Sequence, residues 1–367
     1  NGYLLQAVRA LAWAQVDGVR RSVDYKNLGT EELGSVYEGL LELHPQVDTH
    51  APDFELASAA GNDRKTTGSY YTPASLINLL LDSALDPVID EAVRGKDIQQ
   101  AEQSLLNLKI VDPACGSGHF LIAAAQRLAK RLASVRTGDD EPAPDQVRSA
   151  LRDVVSNCIY GVDVNEMAAE LCKVSLWLEA LDPGRPLTFL EHRIRVGNSL
   201  IGTTPQLLEG GIPDDAFKPI EGDDKKFATA VRKKNREERS GQAAGLFDQG
   251  APGAGSFFSD AFAELNALPT DDMEQLREKE RRFQALQEDA QLRARMLAAD
   301  AWCAAVVWPI QRGEPEPLTT GVLRRLQDTG ELGDSRRDKV EELAGQYNFF
   351  HWHLAFPEVF GGERDGF

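Results

Sequence analysis

Two glycines, one residue apart and set between a short apolar run and a longer amphipathic one, constrain this chain more than any other feature. Residues 106–111 (Leu-Asn-Leu-Lys-Ile-Val) read as a short buried strand. Asp112-Pro113-Ala114-Cys115-Gly116-Ser117-Gly118 follows, and residues 119–129 then place apolar side chains at helical spacing. In a tight strand-to-helix turn, glycine lets main-chain groups approach a ligand with no side chain in the way. An acid at the end of the strand adds an acceptor for a cationic or hydroxyl-bearing group. The turn is not a dinucleotide fingerprint, because the third glycine of G-x-G-x-x-G would fall at Leu121. No Gly-Lys-Ser/Thr follows either, so it is not a phosphate-binding P-loop.

Periodicity predicts the surrounding elements. Residues 4–20 are apolar at helical spacing. A second helix is expected from Thr30, with Val36, Leu40 and Leu43 on its stripe. Thr72 and Pro73 read as N-cap and first residue of a helix over 74–85, and helical pattern resumes over 97–105. Residues 133–145 read as a loop and 147–157 as a helix. Residues 158–163 form a second strand candidate ending in Asp163. A helix over 165–181 with Met167, Leu171, Val174 and Leu178 on one side comes next, then a strand candidate over 193–198 ending at Asn198. Alternation of strand and helix predicts a parallel sheet covered by helices, with ligands at the C-terminal ends of the strands. Asp112, Asp163 and Asn198 fall one at each such end.

Residues 203–346 differ in character. They hold a charged run (223–239), a Gly/Ala/Pro stretch (241–255) and helical pattern over 270–295, and are expected to form a mostly helical insertion with a flexible linker. Residues 348–354 alternate aromatics with histidine and are expected to rejoin the sheet. The expected division is an N-terminal helical region (1–60), a sheet domain (61–202), the insertion (203–346) and a return (347–367).

The 367 residues carry a formal net charge of −18, whereas a duplex-DNA binder usually shows a basic face. Any such surface is expected elsewhere in the assembly or segregated from the acid. The four cysteines show no C-x-x-C spacing and no His cluster accompanies them, which argues against zinc and disulfides and suits a reducing cytosol. No apolar run approaches the ~20 residues of a membrane span, and no signal peptide is expected. The opening at Asn1 and the stop at Phe367 suggest a segment of a longer protein.

Residues 68–73, 112–118, 160–165 and 197–200, in this order, resemble the cofactor motifs of S-adenosylmethionine-dependent adenine-N6 DNA methyltransferases, with the cofactor half before the catalytic half. The flanking residues 28–41, 65–73 and 351–360 look like bacterial type IIG restriction–modification and phage-defence methyltransferases. The resemblance covers roughly residues 25–200 and 345–367. It implies an α/β, Rossmann-like sheet, incomplete here, with N-terminal helices. It implies that Asp112 and the Pro113, Ala114, Cys115, Gly116, Ser117 and Gly118 turn hold the methionine part of S-adenosylmethionine. Asp163 would accept both ribose hydroxyls, Val164 would lie against the adenine, and Asn198 with Ser199 would meet its edge. Tyr71 and Thr72 would close over the carboxylate. Implied partners are double-stranded DNA, through regions outside this segment, and defence-system subunits.

Two departures qualify the resemblance. Asp163 lies 45 residues beyond Gly118, against the ~20 of a compact mononucleotide unit. The catalytic Asn/Asp-Pro-Pro-aromatic motif is missing, since no Asn-Pro or Pro-Pro dipeptide occurs in the chain. That motif localises the lone pair of an otherwise poor amine nucleophile and stacks on the flipped base. Without it the segment is expected to bind cofactor without transferring methyl. A non-catalytic cofactor-binding or assembly subunit is the alternative, and a methyltransferase acting on RNA or protein is a weaker one.

Overall fold

Three parallel strands carry everything that follows. The computed structural model describes residues 2–16, 18–23, 36, 43–48, 53–58, 72–240, 254–311, 313–361 and 366–367. The chain divides into two units, Asn1–Thr72 and Pro73–Phe367.

The first unit corrects the helical expectation for residues 4–20. A helix spans Gly2–Ala12, and β1 (Trp13–Val16) then pairs antiparallel with β2 (Val19–Ser22). The Asp17-Gly18 pair is a two-residue hairpin signal, and Gly18 takes a φ of 76°. A second antiparallel pair, β3 (Leu43–Asp48) with β4 (Asp53–Ser58), replaces the end of the helical stripe expected through Leu43. The helix start expected at Thr30 lies outside the described residues.

In the second unit, β5 (Ile110–Asp112), β6 (Ile159–Asp163) and β7 (Ile194–Val196) form a parallel sheet in that order. Helix His119–Thr137 starts where Gly118 turns the chain and continues to a left-handed Gly138. It therefore runs through part of the stretch expected as a loop from residue 133. Helices Pro144–Asn157 and Glu166–Glu179 complete the two crossovers. Strand β5 is shorter than expected because Leu106 still belongs to helix Ile98–Leu106, which Asp97 caps by accepting from the Gln100 amide. An unanticipated helix, Asp86–Val93, follows helix Ala74–Ala84.

The core beneath the sheet gathers Leu105, Leu121, Leu128, Leu132, Val154, Ile159 and Leu176, all essentially inaccessible. Burying one such leucine contributes about 2 kcal/mol. The opposite face carries Tyr160 and Val162, which alternate with Ile159 along β6 and pack under Phe350, Phe356 and Val359. In helix Glu166–Glu179 the larger apolar residues lie mostly outward. Ala168, Ala169, Cys172 and Leu176 face the core, while Met167, Val174 and Leu178 are exposed. Small residues win the inner face because the helix lies close against the glycine turn.

Beyond β7 the chain is mostly helical and builds its own core around Trp308, Ile310, Leu323 and Val340. Its helices Ala254–Ala267 and Met273–Gln287 meet the base of the sheet at a group of buried cations. Arg193 is fully buried, lies 4.6 Å from the Tyr160 ring centre, and donates to the neutral acceptors Asn157 O and Asn266 Oδ1. Lys279, also buried, points at Asn266 O; burial and the Arg193 charge lower its pKa to about 7.

Candidate functional site at the strand ends

Register puts the three predicted polar residues on one rim. Asp112 pairs with Gly161, and Asp163 pairs with Val196. The three residues therefore step upward across the sheet, Asp163 two residues beyond the partner of Asp112 and Asn198 two beyond the partner of Asp163. A main-chain bond from the Gly197 amide to the Asp163 carbonyl (2.8 Å) extends the ladder to the third residue.

The glycine turn is held by acceptors within the protein. Ala114 N donates to Asp112 Oδ1 (3.0 Å) and Gly116 N to Asp163 Oδ2 (2.8 Å). Cys115 N donates to Val162 O (2.9 Å) and Gly118 N to Cys115 O (2.8 Å). Four amides of the turn are thus already engaged. What the turn and the two carboxylates offer a ligand is acceptor capacity, which suits a ligand rich in donors or positive charge. Asp163 also accepts from Asn165 N at 2.8 Å, so each of its oxygens holds one amide and keeps a lone pair free. The helix after β6 is capped by Asn165, whose side chain accepts from the Met167 and Ala168 amides.

Burial raises the Asp112 carboxyl above its usual range; the Ala114 amide opposes this and the negative charge of Asp163 adds to it. Two carboxylates that repel each other at an uncovered rim are relieved by a cation. Gly116 has φ 53° with open space where a Cβ would project. Gly118 has φ 93°, and a Cβ there would lie 2.8 Å from Cys172 Sγ. The Cys115 thiol hydrogen-bonds Cys172, and this contact with burial pushes its pKa up, so the sulfur packs as a neutral group. The Ser117 hydroxyl sits 3.0 Å from His119 Nδ1.

Asn198 Oδ1 accepts from Leu200 N at 3.1 Å, which fixes its amide orientation and leaves the Nδ2 hydrogens as donors at the rim. Val164, beside Asp163, is 47% exposed. Thr72 does not cap the following helix: Pro73 occupies the cap position, with no side-chain cap bond. Tyr71 lies outside the described residues. A cavity of about 950 Å³ opens on the free edge of β5 and shares Asp112 and Pro113 with the rim, but neither Asp163 nor Asn198 lines it.

Residues 349 and 350 meet the loop that follows β7. Phe349 bridges Asn198 in parallel register, and Phe350 packs where Gly197 and Gly202 lack side chains. A Cβ at Gly202 would fall 1.9 Å from Phe350 O, and one at Gly197 would fall 2.5 Å from the Phe350 ring. The paired glycines flanking residues 198–201 were the available signal.

Together these features define a mixed α/β protein with Asp112, Asp163 and Asn198 along the C-terminal rim of a parallel sheet. The chain matches the family described as N-6 DNA Methylase over residues 31–201 and the Eco57I restriction-modification methylase family over residues 157–367. The second match spans more than half of the chain, and the chain belongs to that family. It is 27% identical over 203 residues to a protein named as a type II restriction enzyme and methyltransferase in Methanocaldococcus jannaschii, covering 44% of this chain and 17% of that one. It is 30% identical over 199 residues to the adenine-specific methyltransferase PglX of Streptomyces coelicolor, covering 51% and 13%. A third similar protein is the Escherichia coli type II restriction enzyme and methyltransferase RM.Eco57I, at 23% over 218 residues, covering 54% and 21%. The chain thus spans about a fifth or less of the length of these relatives. Among the described residues, no helix is long and apolar enough to cross a membrane.

Proposed function

We propose that this chain supplies the cofactor half of a site-specific DNA adenine-N6 methyltransferase of a restriction–modification or phage-defence system, in a Rossmann-like sheet domain over residues 61–202. The cofactor is S-adenosylmethionine, which supplies an activated methyl group on a sulfonium cation. The observation that carries the reading is the carboxylate of Asp163 at the end of β6, bonded to the glycine turn and still holding free lone pairs.

Each residue then has a role that its surroundings support. Asp163 accepts from the ribose hydroxyls. Asp112 and the carbonyls of the turn accept from the cofactor's ammonium group and offset its positive charge. The Nδ2 of Asn198 donates to a ring nitrogen of the adenine, whose face rests on Val164. These groups bind and orient; none of them deprotonates or attacks. Double-stranded DNA is engaged through surfaces other than this acidic chain, and the location is cytoplasmic, where its four free thiols stay reduced.

Calorimetry tests the assignment: micromolar S-adenosylmethionine affinity in the folded protein, lost in Asp163→Ala. Undiminished binding in that variant defeats it. A second reading, a non-catalytic cofactor-binding subunit, is favoured by the absence of any Asn-Pro or Pro-Pro dipeptide from the chain. Transfer of labelled methyl to adenine-containing duplex DNA by this chain alone would rule it out.

A further inference from the structure

The loop bearing Asn198 is fastened from one side by a segment 150 residues later in the chain. Asn198 N donates to Asn348 O (2.6 Å), and Phe350 N donates to Ile201 O (2.8 Å). Trp352 Nε1 donates to Ser199 O at 3.0 Å. Thr203 N donates to His351 Nδ1 at 3.1 Å, so the other ring nitrogen of this fully buried histidine carries the hydrogen directed at Asp300 Oδ1, 2.9 Å away. Asp300 belongs to helix Ala290–Val307 of the helical region. Hydrogen bonds thus join the helix to the histidine and the histidine to the loop whose backbone carries Asn198.

We propose that Trp352 and His351 are positioning residues for cofactor binding: they hold residues 198–203 so that the Asn198 amide faces the rim, and they tie that geometry to the helical region. The inference rests on the cofactor role proposed for Asn198. Neither side chain meets the ligand. Trp352 reaches the loop through one N–H, while its ring packs against Phe350 and Phe356. Trp352→Phe therefore removes the donor and keeps most of the packing.

Calorimetric titration of the full chain with S-adenosylmethionine tests this as a double-mutant cycle. Trp352→Phe and Asn198→Ala are each expected to weaken binding about fivefold, the worth of one hydrogen bond. The double variant is expected to be no weaker than the poorer single one, and Trp352→Phe combined with Asp112→Asn is expected to be additive. Full affinity in Trp352→Phe while Asn198→Ala is impaired overturns the positioning role and spares the site. An equal further loss in the Asn198→Ala background shows general loosening and also overturns it. Full affinity in Asn198→Ala removes the site assignment, and the inference with it. Should Trp352→Phe fail to fold, His351 gives a second route. His351→Asn keeps an acceptor for the Thr203 amide and is expected within about twofold of the parent, whereas His351→Ala is expected to weaken binding about fivefold. Equal affinities for these two variants overturn the proposal.

Discussion

The Gly116 amide donates to the Asp163 carboxylate at 2.8 Å, joining the glycine turn after β5 to the end of β6. One side chain thus sets the shape of the turn and presents the acceptor that a ligand would use. Removing it strips partners from two amides, Gly116 and Asn165. Asp163→Ala is expected to lower stability by about 2 kcal/mol, roughly 1 per lost bond, and to weaken S-adenosylmethionine binding more than about tenfold. Denaturant titration and calorimetry read the two effects separately. A variant of native stability would show that water replaces the carboxylate at no cost.

The two turn glycines should respond differently to the same change. Gly118→Ala meets a φ of 93° and a sulfur 2.8 Å away, deep against helix Glu166–Glu179. It is expected to lose about 3 kcal/mol or to fail to fold. Gly116→Ala has open space and a φ of 53°, so only about 1 kcal/mol is at stake. Thermal melts of the two variants should separate them clearly, and equal losses would contradict the packing described.

Asp112 places binding against stability. Its carboxyl pKa is raised in the folded protein, by burial first and by Asp163 in addition. For an acid with a raised pKa, folded stability is full below the unfolded value and falls as pH rises through the folded one. At neutral pH, Asp112→Asn removes this cost and keeps an oxygen for the Ala114 amide. Its melting temperature is expected to rise by roughly 1–3 °C, while cofactor affinity falls. A lower melting temperature would refute the sign.

Lys279 supplies a pH signature in the opposite direction. Burial and then Arg193 depress its pKa to about 7, below the 10.5 of the unfolded chain. Between those values the unfolded state holds a proton that the folded state lacks, so stability should rise with pH, by at most about 1.4 kcal/mol per pH unit. Comparing the protein with Lys279→Met between about pH 7 and pH 8.5 isolates this group, because the other titrations are shared. The slope should be shallower in the variant; identical slopes would mean that the lysine reaches solvent.

Legibility in the sequence followed the range of the interactions involved. Strand β6, the helix after it and the glycine turn are plain, because apolar runs, helical spacing and glycine in a tight turn are local properties. The two N-terminal hairpins were missed. The stretch 4–20 has enough helical periodicity to hide its Asp-Gly turn, and cross-strand pairing is not visible in local spacing. The stripe of larger residues on helix Glu166–Glu179 is legible as a stripe, but its spacing does not say which side faces the core. Here close approach to Gly118 demands alanine and cysteine on the inner face. Thr72 was a reasonable cap by residue type, but Pro73 occupies the cap position.

By itself, the order of residues determined that an acid ends β5 and β6, that glycine must follow the first of them, and that family motifs recur in a set order. Each is a matter of chain stereochemistry within a few residues. Only the tertiary structure decided that the turn amides are consumed internally, that the rim therefore offers acceptors, and that Asn198 is held by residues 348–352. Those outcomes depend on which distant groups share a space, and hydrogen-bond capacity, once spent on a neighbour, is no longer open to a ligand.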